Sequence, residues 1–170
     1  PKTLAAGLVL SDDDAAGAGG NLSKAVVVVA NYVDGEDEFA IGEGDDAQVL
    51  SSNSAVAVGT AGVFTYTYEV AAASKQLTLT LSAAAEAGAP ASDFAAVLSD
   101  LTYKNTAEAP TEANRTLTLS VTDTSDAAHA TSDSSELTLS VVNVNDKPEI
   151  EGWATELGSP MIYSEGEDPK

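Results

Sequence analysis

The chain has 170 residues, enough for one domain with at most a short extension. Seven basic residues against 27 acidic ones give a net charge of −20, which excludes electrostatic attraction to nucleic acid or to an anionic membrane. Cysteine is absent, so disulfides and thiolate metal sites are excluded too.

The apolar fraction of 44% suits a folded core, but with only 5% aromatic residues much of the burial falls to alanine and valine. So much negative charge makes a metal-free state self-repelling, and a bound divalent cation would stabilise it. Solubility in salty surroundings explains the same acidity, and the two readings are compatible. There is no charged-then-apolar leader and no apolar run near the ~18 residues of a membrane span, so no membrane insertion is expected.

In chain order, Leu4, Leu8 and Leu10 lead into Ser11-Asp12-Asp13-Asp14 and a glycine-rich turn at 17–20. The β-branched stretch Ala25 to Val33 predicts a strand. Asp34-Gly35-Glu36-Asp37 reads as a turn, and Phe39 and Ile41 lie on the next strand. Residues 42–46 read as a second acidic turn. Phe64, Tyr66 and Tyr68 alternate with Thr65, Thr67 and Glu69, the period-two pattern of a half-buried strand. Leucine alternates with threonine or serine around 77–80, 116–119 and 137–140, predicting three further strands of a sandwich and no solenoid repeat. One short helix is expected near 92–99. Ser92-Asp93 offers an N-cap, and Phe94, Val97, Leu98 and Leu101 form one apolar stripe. The last strand carries Leu137, Leu139 and Val141 towards Asn145-Asp146-Lys147-Pro148, where proline ends the ladder. The pattern predicts an all-β Greek-key sandwich of about seven to nine strands with one helix.

Six segments in order resemble the cadherin-like tandem repeats of giant bacterial surface proteins, the extender domains of RTX adhesins among them. They are Gly7-Leu8-Val9-Leu10-Ser11-Asp12-Asp13-Asp14, Asn31 to Asp37, Phe94 to Thr106, Asn114 to Asp123, Val144 to Pro148, and Ile162-Tyr163-Ser164-Glu165-Gly166. The resemblance implies an Ig-like, calcium-stiffened sandwich acting as an extender arm at a bacterial cell surface. The lack of cysteine suits such a protein. Lys147 departs from the family, where a small or uncharged residue is more usual at that position.

On this reading residues 1–148 form one repeat. Residues 149–170 are a linker plus a first strand, belonging to the next repeat or donated to a neighbouring copy. The Tyr-x-Glu-Gly segment opens a repeat in the family but lies at 163–166 here, and Pro1-Lys2 recurs as Pro169-Lys170. The expected partners are therefore copies of the same chain, head to tail.

Calcium takes six to eight oxygen ligands. Asp12 and Asp14, two apart at a strand exit, can bite one ion. Asn145 and Asp146 leave the last strand, Glu165 follows a strand at the domain junction, and Asp123 and Asp126 occupy positions that face the junction in the family. Solvated turn carboxylates are the plainer alternative for each. Asp34, Glu36 and Asp37 offer a separate ion site, though an ordinary acidic turn explains them more simply. There is no EF-hand loop.

His129 is the only histidine, cysteine is absent and no Gly-x-Ser-x-Gly elbow exists, so hydrolytic triads are close to excluded. A carboxylate-pair glycosidase would need an aromatic cleft, and Trp153 is the only tryptophan. The expectation is a non-enzymatic module. A carbohydrate- or surface-binding adhesive domain is the alternative to an extender, and it should expose an aromatic platform or a flat threonine array.

Overall fold

The structure is a computed structural model that describes residues 1–10, 21–42, 47–50, 54–58, 64–124 and 134–143, with 54–58 described by backbone alone. Two antiparallel sheets face each other across one core, with a single α-helix, so the protein is an all-β sandwich. The small sheet has the order β1 (Lys2–Thr3), β9 (Thr102–Asn105), β3 (Asp37–Ile41), β4 (Gln48–Val49). The large sheet has the order β11 (Ser135–Leu139), β10 (Arg115–Asp123), β2 (Asn21–Ala30), β7 (Gln76–Ala83), β6 (Phe64–Ala71), β5 (Ser54–Val58). The short strand β8 (Ala89–Pro90) pairs with the start of β2.

Strand β2 is the spine of the large sheet. Its run Val26–Val29 is β-branched, which favours extended backbone. Leu22, Ala25, Val27 and Val29 are buried. The step from Leu22 to Ala25 breaks the period of two, and a bulge explains it. Thr122 pairs with Lys24 but Asp123 pairs with Leu22, so Ser23 is the extra residue on β2. The Ser23 hydroxyl faces both the Thr122 and Asp123 carbonyl oxygens, each 3.1 Å away.

The alternating strands behave as their pattern predicts. Phe64, Tyr66 and Tyr68 are buried while Thr65, Thr67 and Glu69 are exposed. Leu77, Leu79 and Leu81 of β7 and Leu117 of β10 join them in the core, together with Phe39, Ile41 and Leu50 from the small-sheet side. Helix α1 (Ala91–Ser99) buries Phe94 and Leu98, with Phe94 edge-on to Phe64 at 4.7 Å between ring centroids.

Three expectations need correction. The helix begins at Ala91 with Pro90 as N-cap and no side-chain cap; Ser92 and Asp93 already lie in its first turn. Pro90, with φ −53°, suits this place because its ring fixes a helix-compatible φ and it has no N–H to satisfy. The last strand ends at Leu139, well short of Pro148, because its partner β10 starts at Arg115, the residue paired with Leu139. The described residues hold eleven strands, more than expected, because β1, β4 and β8 are two residues each and too short to show a period.

Candidate functional sites at the two ends of the sandwich

Strand β10 is nine residues long, so its ends lie about 27 Å apart at ~3.4 Å per residue. Asp123 marks one end. The bulge at Ser23 holds its backbone, and Thr124 ties the chain just beyond it: both its N–H and its hydroxyl reach the Asn21 carbonyl oxygen at 3.1 Å. The Asn21 side-chain amide donates in turn to the Ala87 carbonyl at 2.9 Å. Asp123 is thus a half-buried residue on a firmly held strand end.

Of the residues expected to bind calcium, Asp123 is the one the structure describes. Asp12, Asp14, Asp126, Asn145, Asp146 and Glu165 lie outside the described residues. Among the described residues no three acidic or histidine side chains come together as a metal centre would need. One carboxylate falls far short of the six to eight oxygens calcium takes. By chain connectivity, the segment 11–20 joins this end at Asn21, and residues 125–130 continue from Thr124.

At the other end sits a polar centre built around Asp37, part of the 34–37 stretch that reads as an acidic turn in the sequence. Asp37 is 5% exposed and Arg115 0%. Arg115 Nε donates to Asp37 Oδ2 at 2.7 Å and Nη2 to Oδ1 at 3.0 Å, a bidentate pair. Asp37 also accepts from the Tyr103 hydroxyl at 2.7 Å, Asn105 Nδ2 at 3.1 Å and the Val33 N–H at 2.8 Å. Arg115 Nη1 donates to the carbonyls of Thr111 and Ala113. Beside them Glu36 accepts from the Thr111 N–H and hydroxyl, both at 2.8 Å.

The electrostatics follow from these contacts. Burial and the hydrogen bond to Asp37 push the Tyr103 phenol up to about 12. Burial would lower the Arg115 pKa, but the Asp37 carboxylate outweighs it and leaves the guanidinium held even more firmly charged. The two hydrogen bonds from Thr111 draw Glu36 below the usual carboxylate range. With its oxygens satisfied by five donors, Asp37 has no capacity left for a cation. This centre is a lock between β3, β9 and β10, and the separate ion site considered for Asp34, Glu36 and Asp37 is not formed there.

A signal for the lock was present in the sequence. Arg115 shares its strand face with Leu117 and Leu119, and Asp37 shares its face with Phe39 and Ile41, by the period of two. A charge on an apolar face needs an opposite charge to meet it.

The C-terminal end of the described chain also lies on this side. The Asn143 N–H donates to Glu112 Oε1 at 3.0 Å, and Glu112 belongs to the loop that wraps the Arg115 guanidinium.

Comparison of the chain with protein-family models, with curated proteins and with solved structures gives no match.

Proposed function

We propose that the protein is a calcium-stiffened structural repeat of an extracellular bacterial adhesin or surface filament, joined head to tail with copies of itself. The observation that carries this reading is the separation of its two candidate ligand groups. Asp123 lies at one end of β10, while Asn143, just before Asn145 and Asp146, lies beside Glu112 near the other. From Asn143 the chain reaches Asp146 within about 11 Å at most. An ion shared by Asp123 and Asp146 would therefore lie between two copies, where it fixes the angle of a joint. The acidic surface supports the same reading, because cations relieve its self-repulsion.

Calorimetry in calcium and in chelator tests this. A cation bound by the native state alone stabilises it by about 2.7 kcal/mol at a hundred times its dissociation constant. Asp146→Ala and Asp12→Ala should each shrink the gain. Identical melting in both buffers refutes the proposal.

A second reading rests on the outer face of the large sheet. The leucines of the alternating strands point inward, and the threonines therefore form rows outside. Thr118 lies two strands from Thr78 across Val28, and Thr80 pairs directly with Thr67. Such a face suits contact with a carbohydrate or another flat surface. Among the described residues no aromatic platform accompanies it, since Tyr32, Phe39, Phe64, Tyr66, Tyr68 and Phe94 are buried and the half-buried Tyr103 lies on the small sheet, bonded to Asp37. Specific retention on a glycan array would favour this reading over the extender.

A further inference from the structure

Strand alternation fixes which way β11 faces. Leu137 pairs with Leu117, and cross-strand partners share a face. Leu117 is 5% exposed and points into the core, so Leu137 points inward as well. Yet Leu137 is 41% exposed. An inward leucine open to water means that the layer opposite it is incomplete.

That layer is the small sheet, whose outermost strand here is β1, two residues long and followed by Leu4. Between the two sheet edges lies a cavity of about 190 Å³ lined mainly by leucines, among them Leu4, Leu8, Leu98, Leu101, Leu117 and Leu137. An engineered apolar cavity of about 150 Å³ accepts a benzene ring, so this space takes a large side chain. Among the described residues neither β1 nor β11 has a second partner strand, and a sheet edge of this kind is a template for a further strand.

The sequence supplies one suitable strand. Outside the described residues, Met161-Ile162-Tyr163 is the only run of three large apolar residues. Extended backbone puts Met161 and Tyr163 on one face, with Ser164 and Glu165 ready to continue into solvent. The head-to-tail reading makes a neighbour the recipient: Ser135 to Leu137, the first residues of β11, line the cavity, whereas the chain leaves β11 towards Asn143 at the other end. The 17 residues between Asn143 and Met161 are also long enough to double back within one copy, and the crosslinking test separates the two.

We propose that the groove between β1 and β11 is a strand acceptor, filled by Met161–Tyr163 of a second copy of this chain. Backbone hydrogen bonds along a free edge provide affinity, and the apolar side chains entering the cavity provide register. The contact is head-to-tail and propagates instead of closing. This inference rests on the head-to-tail reading and names the surface that carries it.

The absence of cysteine allows a direct test. Leu137→Cys and Tyr163→Cys variants of the full chain are mixed and oxidised, in calcium and in chelator, with thermal melting followed in parallel. A disulfide-linked heterodimer between the two single variants, lost when the Tyr163→Cys copy also carries Met161→Arg and kept when the Leu137→Cys copy carries it, supports the proposal. Leu137→Arg should weaken self-association in sedimentation by at least roughly tenfold, the effect of losing one buried anchor. No intermolecular crosslink overturns the proposal, as does a Leu137→Cys/Tyr163→Cys double variant that closes only within one monomer. Failure of the crosslink while calcium still raises the melting point removes the acceptor groove alone. Crosslinking without any calcium effect supports the groove and removes calcium from the joint.

Discussion

The Arg115 guanidinium and the Asp37 carboxylate meet in two hydrogen bonds, at 2.7 and 3.0 Å, with both side chains shut off from solvent. They are far apart in the chain, and their contact ties the first strand of the β3–β9 pair to the start of β10. Breaking one member of such a pair leaves an uncompensated buried charge. Asp37→Asn should therefore cost about 3–5 kcal/mol in urea unfolding. Replacing both, as Asp37→Leu with Arg115→Met, should recover only part of this, because the Tyr103 hydroxyl, Asn105 Nδ2 and the Val33 N–H would lose their acceptor. A double variant as stable as the parent would show that the lock adds nothing net.

The lock also marks the boundary of what the sequence discloses. Patterns of period two and 3.6 are local, so β6, β7, β10 and the stripe of α1 are legible from Phe64, Leu77, Leu117 and Phe94 alone. Sheet order is not local. Nothing near Val27 states that its neighbours are Leu119 and Leu79. Asp37 sits in an Asp-Gly-Glu-Asp stretch whose composition reads as a solvated turn, and its partner comes from a distant strand. Residue type at strand exits and the family resemblance point to the candidate calcium ligands, and Asp123 lies at such an exit, held by a bulge that no local pattern announces. The length of the last strand failed for the same reason: its end depends on where β10 begins.

Tyr103 makes the lock sensitive to alkali. Its phenol is raised from 10.0 to about 12 by burial and by its hydrogen bond to Asp37. The native state therefore holds this proton more tightly than the unfolded chain does. The associated stability is complete below pH ~10 and is lost as pH rises from there towards ~12. Tyr103→Phe should flatten the fall in melting temperature across that window. It should not abolish it, since burial also raises Tyr32 and Tyr66. Superimposable alkaline melting curves for the two proteins would contradict this account.

Gly88 holds the turn that supports the Asp123 end. Its φ is +72°, a region costly for residues with a Cβ. An added Cβ would clash with Thr124 Cγ2 and would lie 2.6 Å from the Leu22 carbonyl oxygen. Gly88→Ala should thus destabilise by about 1–3 kcal/mol from backbone strain, with more from the clash. Thr124→Ser removes the methyl but not the carbonyl, so it should rescue the variant only in part. Gly35→Ala is the matched control: its φ is +82° but nothing lies within 4 Å, and the loss should be confined to the strain. Equal losses at both positions would show that the crowding at Gly88 relaxes freely.

The placement of Asp123 and Asn143 at opposite ends gives the calcium reading a signature of its own. An ion held within one copy stabilises that copy equally at any protein concentration. An ion held between copies is bound by a complex, so mass action makes its effect grow with concentration. The calcium-induced rise in melting temperature should therefore increase as protein is raised from micromolar to hundreds of micromolar, and sedimentation should show larger species over the same range. Asp123→Asn should reduce the concentration-dependent part, because the proposed function puts Asp123 at the receiving end of the joint. Mixing Asp123→Asn with Asp146→Asn should restore about a quarter of the joints, those in which an intact Asp123 end meets an intact Asp146 end, if the two kinds of copy associate at random. A calcium gain that is the same at every concentration would place the ion inside a single copy, and Asp123 and Asp146 would then not share it.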